Sequence, residues 1–334
     1  MKRGLFWFAL LLTGCVRYAD FTLPRLPPAA PVRFEWAATA APLIPQGPAG
    51  AWDSHDALNP SVVLAGGTFY NFYSGFDGKT WQTGLATSTD GVTWRKEGKV
   101  LSPNPATWEG EYIAANGSAL HVGQEFFYWY HAGPRETPRI GLARSSDGRT
   151  WQKHPAPVLE TGPRGSWDER GVADPYVIQI KGTFYLYYLG QDRARQQRIG
   201  VARSQDGISW EKLRVNPVLE LGETGEFDED ALGEPAVWMS HGAYWMLYTG
   251  RDRTGIRRLG LAQSSDGVAW KRQPSVFAGR ENWDSKVLCD PTVEVTPQGI
   301  RVWFGGGNVA SPDENLHGQI GIAILRPVDA TLAK

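Results

Sequence analysis

Apolar and polar positions alternate along this chain with the short period of β-strands, and the alternation recurs in blocks. Aromatic-rich runs at 68–73, 125–130, 183–188 and 243–248 carry the strong β-propensity of Tyr, Phe, Trp and Thr. A shorter apolar run precedes each, at 61–64, 118–122, 176–180 and 236–239. A Gly-Leu-Ala or Gly-Val-Ala strand follows each, opening at Gly84, Gly141, Gly200 and Gly260. Every block then reaches Ser-x-Asp-Gly-x-x-Trp, with Asp90, Asp147, Asp206 and Asp266 spaced 57, 59 and 60 residues apart. Three or four short strands in a unit of that length read as a propeller blade.

A fifth unit opens at Asp290-Pro291-Thr292, continues through 300–304 and 319–325, and runs out of chain before its last strand. That strand is expected from the other end of the sequence. Trp36 with Pro42-Leu43-Ile44 repeats the pattern of Trp151 with Pro157-Val158-Leu159. The expected fold is therefore all-β, a five-bladed β-propeller over 32–334 closed by the N-terminal strand. Its blades start near 59, 116, 174, 234 and 290. Closure would remove the open sheet edges of a linear array.

Repetition separates blade-building from chemistry. A feature in every unit serves the blade, while a position that varies is free to act. The Ser-x-Asp-Gly turns resemble the Asp-box of sialidases and read as structural: Gly supplies a positive φ and Asp bonds the turn backbone. An aromatic-acid pair recurs five times, at Trp52-Asp53, Trp108-Glu109, Trp167-Asp168, Phe227-Asp228 and Trp283-Asp284, and reads as a cap or turn. Shortly after it comes a position that is always polar but changes identity: Asn59, Asn116, Asp174, Glu234 and Asp290. First strands of blades line the axial channel, so these five converge at one of its ends. Carboxylates that close raise at least one pKa, as a general acid requires.

Loops between second and third strands open on the same face. They bring Phe76, Asp77 and Trp81, His131 and Arg135, Gln191, Asp192 and Arg193, Arg251 to Arg253, and Asn308 with His317. Aromatic platforms with Arg, Asn and His donors suit a hydroxyl-rich sugar.

Composition adds two constraints. Net charge is -1 without a long like-charged run, which argues against a nucleic-acid partner. The first residues form a leader: Lys2 and Arg3, an apolar stretch at 5–12, then Leu12-Thr13-Gly14-Cys15. This ending resembles the lipobox of bacterial lipoproteins, which implies removal of 1–14 and a diacylated Cys15. The chain would then be a monomer anchored in the bacterial cell envelope, at the outer membrane or cell surface, through a flexible Pro- and Ala-rich tether over 15–31. Cys289 is left without a disulfide partner, and its apolar neighbours point to an inert, buried thiol.

The Asp-Pro and Glu-Pro pairs at inner strand starts resemble the arabinanase, invertase and levansucrase group, glycoside hydrolase families 43, 32, 62, 68 and 130. Ala173-Asp174-Pro175 resembles the third-blade Asp that tunes the acid in family 43, and the Arg-Asp-Pro motif of family 32 without its Arg. Gly233-Glu234-Pro235 resembles the segment bearing the general acid. The first blade departs: Asn59 stands where those families place an Asp as base or nucleophile. His55-Asp56 is similar to the His-Asp-Pro of family 43 with three residues inserted.

The resemblance implies a glycoside hydrolase with Glu234 as acid, Asp174 tuning it, and Asp56 as base, or Asp290 if the loop falls short. Asn59, Asn116, Asp290, Trp81, His131, Arg135 and Arg251 would bind substrate. Two alternatives stand beside it. One is a surface glycan-binding lipoprotein without catalysis; the other is a family 130-like phosphorylase using Arg135, Arg193 and Arg251. No cofactor is implied. His55, His131 and His317 could also hold a metal, although their spacing is not diagnostic, and a structural divalent ion could sit in the axial channel.

Overall fold

The computed structural model describes residues 17–27, 32–311 and 313–329, so the leader and Cys15 lie outside the described residues. Among the described residues the regular elements are all β-strands. They form five antiparallel meanders in the repeat order. The third is representative: Gly171–Ile180, Thr183–Gln191, Gln197–Ser204 and Glu211–Leu213 pair in sequence. The fifth runs Val287–Thr296, Gly299–Gly307 and Gln319–Asp329. Val32–Ala38 then pairs with its last strand, setting Trp36 opposite Leu325. The hydrogen-bonded ladders collect into two sheets, of 13 and 9 strands, and neither closes on itself.

The repeated motifs explain how units are built and joined. In each Ser-x-Asp-Gly turn the serine hydroxyl and aspartate cap the backbone; Asp147 Oδ1, for example, accepts from Arg149 N at 2.7 Å and Thr150 N at 2.8 Å. In three of the four turns the glycine's carbonyl then receives a side chain from another unit. Trp129 Nε1 donates to Gly207 O at 2.8 Å, Tyr187 OH to Gly267 O at 2.7 Å, and Trp303 Nε1 to Gly91 O at 2.8 Å. The last contact ties the fifth unit to the first.

The aromatic-acid pair is also structural, with a fuller role than a cap. Its ring covers a glycine of the Gly-Leu-Ala strand: a Cβ on Gly84 would meet Trp52 at 2.3 Å, and one on Gly200 would meet Trp167 at 2.5 Å. Its acid joins a tyrosine and a cation. Asp53 accepts from Tyr73 OH at 2.9 Å and Lys96 Nζ at 2.7 Å. Glu109 with Tyr130 and Lys153, Asp168 with Tyr188 and Lys212, and Asp228 with Tyr248 and Arg272 repeat the arrangement. The fifth unit has Phe304 in the tyrosine's place, and there burial pushes the Asp284 carboxyl up.

Residues 17–27, which composition assigns to a tether, run along the outside of the third and fourth units. Arg17–Ala19 pairs in parallel with Glu211–Leu213. Leu23 is buried against Gly267, and its N–H donates to Asp266 O at 2.8 Å. Phe21 packs against Tyr185. The Pro- and Ala-rich composition hides two apolar anchors, which is why this stretch reads as tether but docks.

Candidate active site

The five polar strand starts share one unusual backbone state. Asn59, Asn116, Asp174, Glu234 and Asp290 have φ of 47°, 47°, 46°, 50° and 52°. Asn and Asp tolerate this left-handed region better than most residues; Glu does so at greater cost, a strain typical of functional positions. The ladder slips at each in the last four units, as between Ala173 and Tyr176 and between Gly233 and Ala236. In the first unit the strand splits into Asp56–Leu58 and Val62–Ala65. A bulge leaves its extra residue unpaired, and the following Pro60, Pro175, Pro235 and Pro291 have no N–H to restore the ladder. The freed side chains line the floor of one chamber of about 240 Å³.

Neighbouring units brace that floor. Asn59 Nδ2 donates to Asp290 Oδ1 at 2.6 Å, and Asn59 N to Asp290 Oδ2 at 3.3 Å. Asn116 N donates to Ser74 Oγ at 2.9 Å, while Asn116 Nδ2 reaches Asp174 Oδ1 at 3.3 Å. His131 Nδ1 stands 3.6 Å from the same oxygen. Asp290 N donates to Thr249 Oγ1 at 3.3 Å and reaches Glu234 Oε2 at 3.4 Å.

Glu234, Cys289 and Asp290 bring their donor atoms within 4.8 Å of one another, the one such trio of metal-type donors among the described residues. Burial is the main cause that pushes Glu234 above the ordinary carboxylate range, and the charge of Asp174 adds to it. Asp290 is also pushed well up, first by burial and then by Glu234. The two titrate as a pair that keeps one proton above the usual carboxylate range. Asn59 donates to both oxygens of Asp290, and Cys289 Sγ lies 3.0 Å from one of them. These donors favour the charge on Asp290, against the burial that raises it. Burial also pushes the Cys289 thiol well up, in keeping with an inert sulfur.

The chamber gathers Asn59, Asn116, Asp174, Glu234, Asp290, Trp81, His131, Arg135 and Arg251, all expected from the sequence to meet. Trp81 is stacked on Phe76 at 4.8 Å and largely buried, so it forms wall rather than open platform. Of the expected loop residues, Phe76, Asp77, Asp192, Arg193, Asp252, Arg253, Asn308 and His317 lie outside the lining, and so does Asp56. It is fully buried outside the lining, and its carboxylate accepts from Asn315 N at 2.7 Å and Gly318 N at 2.8 Å. Those bonds spend it on loop anchoring, so the base position expected there is not on the chamber floor. His55 and His317 bond to separate partners, Asn315 and Asn308, while His131 Nδ1 faces Asp174 at 3.6 Å without a hydrogen bond. Sequence reading missed Tyr112, Arg257 and Asp313. Asp313 belongs to a loop peculiar to the fifth unit, while Arg257 and Tyr112 occupy recurring positions, those of Trp81 and Lys286 respectively, where residue identity varies between units.

Comparison with known proteins fits this geometry. The model of the glycosyl hydrolases family 32 N-terminal domain matches residues 61–216 and 178–298. An uncharacterized protein of Mycobacterium tuberculosis (strain CDC 1551 / Oshkosh) is 29% identical over 234 residues, covering 64% of this chain and 75% of that protein. The 1,2-beta-oligomannan phosphorylase of Thermoanaerobacter sp. (strain X514) is 30% identical over 130 residues, 36% of this chain and 43% of that enzyme. Solved structures of glycoside hydrolase families 32, 43, 117 and 130 share the fold at 18% identity. One of them, from work on family 130 mannoside phosphorylases and hydrolases targeting beta-1,2 mannosidic linkages in Candida mannan, superposes with a TM-score of 0.67 over 90% of this chain and 95% of that chain. A floor of braced carboxylates and a family match over most of the meanders lead to one conclusion: the chain belongs to the glycosyl hydrolases family 32 N-terminal domain family.

Proposed function

We propose that this chain is a glycoside hydrolase that cleaves an oligosaccharide in the chamber with Glu234 as the proton donor. The observation that carries the reading is the Glu234–Asp290 pair, held within 4.8 Å and sharing one proton above the usual carboxylate range. Retaining glycosidases space their carboxyls at about 5–5.5 Å and inverting ones at about 6.5–9.5 Å. The closer spacing suits retention. Asp290 then attacks the anomeric carbon as the glycosidic C–O bond breaks, and Glu234 gives its proton to the leaving oxygen. Water next displaces Asp290, and its proton returns to Glu234. Asp174, faced by Asn116 and His131, orients the sugar and keeps Glu234 protonated.

Three further readings complete the proposal. The meanders form a five-bladed ring, supported by the Val32–Ala38 pairing and by the Trp303–Gly91 and Asn59–Asp290 contacts. The propeller domain spans 32–334. Cys15 carries a lipid that holds the protein at the cell envelope. The segment leading from it docks on the Asp-box turns, at the strand ends opposite the chamber.

A second reading has its own support: Arg135, Arg195, Arg251 and Arg257 all line the chamber, as a site for inorganic phosphate would require. One experiment separates the two. Wild type and Glu234→Gln are incubated with β-1,2-linked mannose oligosaccharides and fructose oligosaccharides, with and without phosphate. Products that need no phosphate, and that vanish in the variant, support hydrolysis. Phosphate-dependent products establish the phosphorylase. Binding by calorimetry without any product would leave a glycan-binding lipoprotein instead.

A further inference from the structure

We propose that the strap over residues 313–318 makes the chamber a blind pocket for one terminal sugar, with Asp313 and Glu314 as specificity-determining residues. This rests on the glycosidase reading above and adds its mode of attack: release of single sugars from a chain end.

The strap belongs to the fifth unit, returning from Gly299–Gly307 to Gln319–Asp329. It is tied to two other units. Asp313 Oδ1 accepts from Arg251 Nη1 at 2.9 Å and from Arg257, both of the fourth unit. Glu314 pairs with Arg135 Nη2 at 3.2 Å and accepts from Tyr112 OH, both of the second unit. The fifth unit borders the fourth directly and touches the first through Asn59 and Asp290. Reaching the second unit therefore carries the strap over the first.

Its underside is fixed as well. Leu316 is buried in the cluster of Leu58, Trp81 and Ile113, filling the first-unit side like a plug. Asp56 holds the strap backbone at Asn315 and Gly318. Asn315 and His317 are held at φ of 59° and 56°, a left-handed state that persists only where surroundings enforce it. The strap is thus a built wall. The third-unit side is lined by Gln191, Arg195 and Gln197, of which Arg195 is exposed to solvent. The chamber's roughly 240 Å³ falls below the ~300–1,000 Å³ of pockets that enclose drug-sized ligands. That volume suits one sugar ring.

The test compares wild type with Asp313→Ala/Glu314→Ala and Glu314→Gln on β-1,2-mannotetraose and an inulin-type fructotetraose, each free and with its reacting end capped. Wild type should convert the tetrasaccharide early to single sugar and trisaccharide in equal amounts, without disaccharide, and capping should abolish both cleavage and calorimetric binding. The double variant should give disaccharide early, with KM for the tetrasaccharide at least tenfold higher. Glu314→Gln, which keeps an acceptor for Tyr112, should retain single-sugar release. Early disaccharide release by wild type, or undiminished binding of the capped tetrasaccharide, overturns the proposal. Binding of the uncapped form alone with no cleavage leaves the pocket intact and sinks the hydrolase reading instead.

Discussion

Asn59 Nδ2 lies 2.6 Å from Asp290 Oδ1, a hydrogen bond across the seam between the first and last repeats. The amide stands where the related families place a carboxylate, and this contact supplies a reason. An Asp at 59 would set oxygen against oxygen at a buried carboxylate that already shares a proton with Glu234. Asn59→Asp is therefore expected to weaken the enzyme rather than restore a missing base. Thermal unfolding should show a loss of about 1–3 kcal/mol from an unsatisfied buried pair. Activity on the cognate glycan should fall with it. A rise in kcat would refute the assignment of Asp290 as nucleophile.

The acid–tyrosine–cation clusters predict stability without chemistry. Asp168 and Lys212 are both nearly inaccessible and paired. Breaking such a pair from one side costs about 3–5 kcal/mol, because the remaining charge stays buried. Lys212→Met should thus lower the urea midpoint sharply, and Asp168→Asn/Lys212→Met should recover part of the loss. Neither should alter KM, since the cluster lies outside the chamber lining.

These clusters also mark what sequence could convey. The acid and its cation are 43 or 44 residues apart in four units, so the pairing was written in the repeat. The varying polar position was legible for the same reason: each unit acts as a control for the others. Asp56 was not, because its neighbours 315 and 318 are distant in sequence and belong to a loop found in one unit only. The left-handed bulges were hinted at only by the prolines that follow them. Repeats expose what the units share. The contacts that single out one unit need coordinates.

The seam between first and last units can be tested at Gly91. Its φ is +74°, and a Cβ there would meet Arg301 Nη1 at 2.7 Å and Trp303 at 3.0 Å. At Gly50, with φ +83°, nothing lies within 4 Å. Gly50→Ala should cost only the left-handed strain, about 1–2 kcal/mol. Gly91→Ala should cost measurably more, because it also displaces the tryptophan that donates to the turn. Equal melting temperatures for the two variants would show that this seam contributes little.

The Asp-box turns fix the acid side of the stability profile. Backbone N–H groups hold Asp90 and Asp147 below the ordinary carboxylate range, and the same bonds lower Asp206 and Asp266 against their partial burial. A lowered folded pKa adds stability that is complete above the unfolded value near 4 and disappears as pH falls through the folded values. Denaturant midpoints should therefore drop steadily below about pH 4, on the same linkage. Asp147→Asn should flatten part of that slope.

The pH profile of activity runs in the opposite sense and discriminates most directly among site assignments. Glu234 has its pKa raised by burial and then by the charge of Asp174, which suits the proposed role of proton donor above the usual carboxylate range. Activity should hold on the acid side and fail as pH rises through the raised value. Asp174→Asn removes the charge that sustains this protonation, so the alkaline limb should move to lower pH. Residual turnover should remain below the new limb, because burial still favours the neutral acid. If Asp174 were instead the base, the amide would abolish turnover at every pH and leave no limb to move. A pH–rate series on the two proteins with one substrate therefore separates a tuning carboxylate from a proton acceptor.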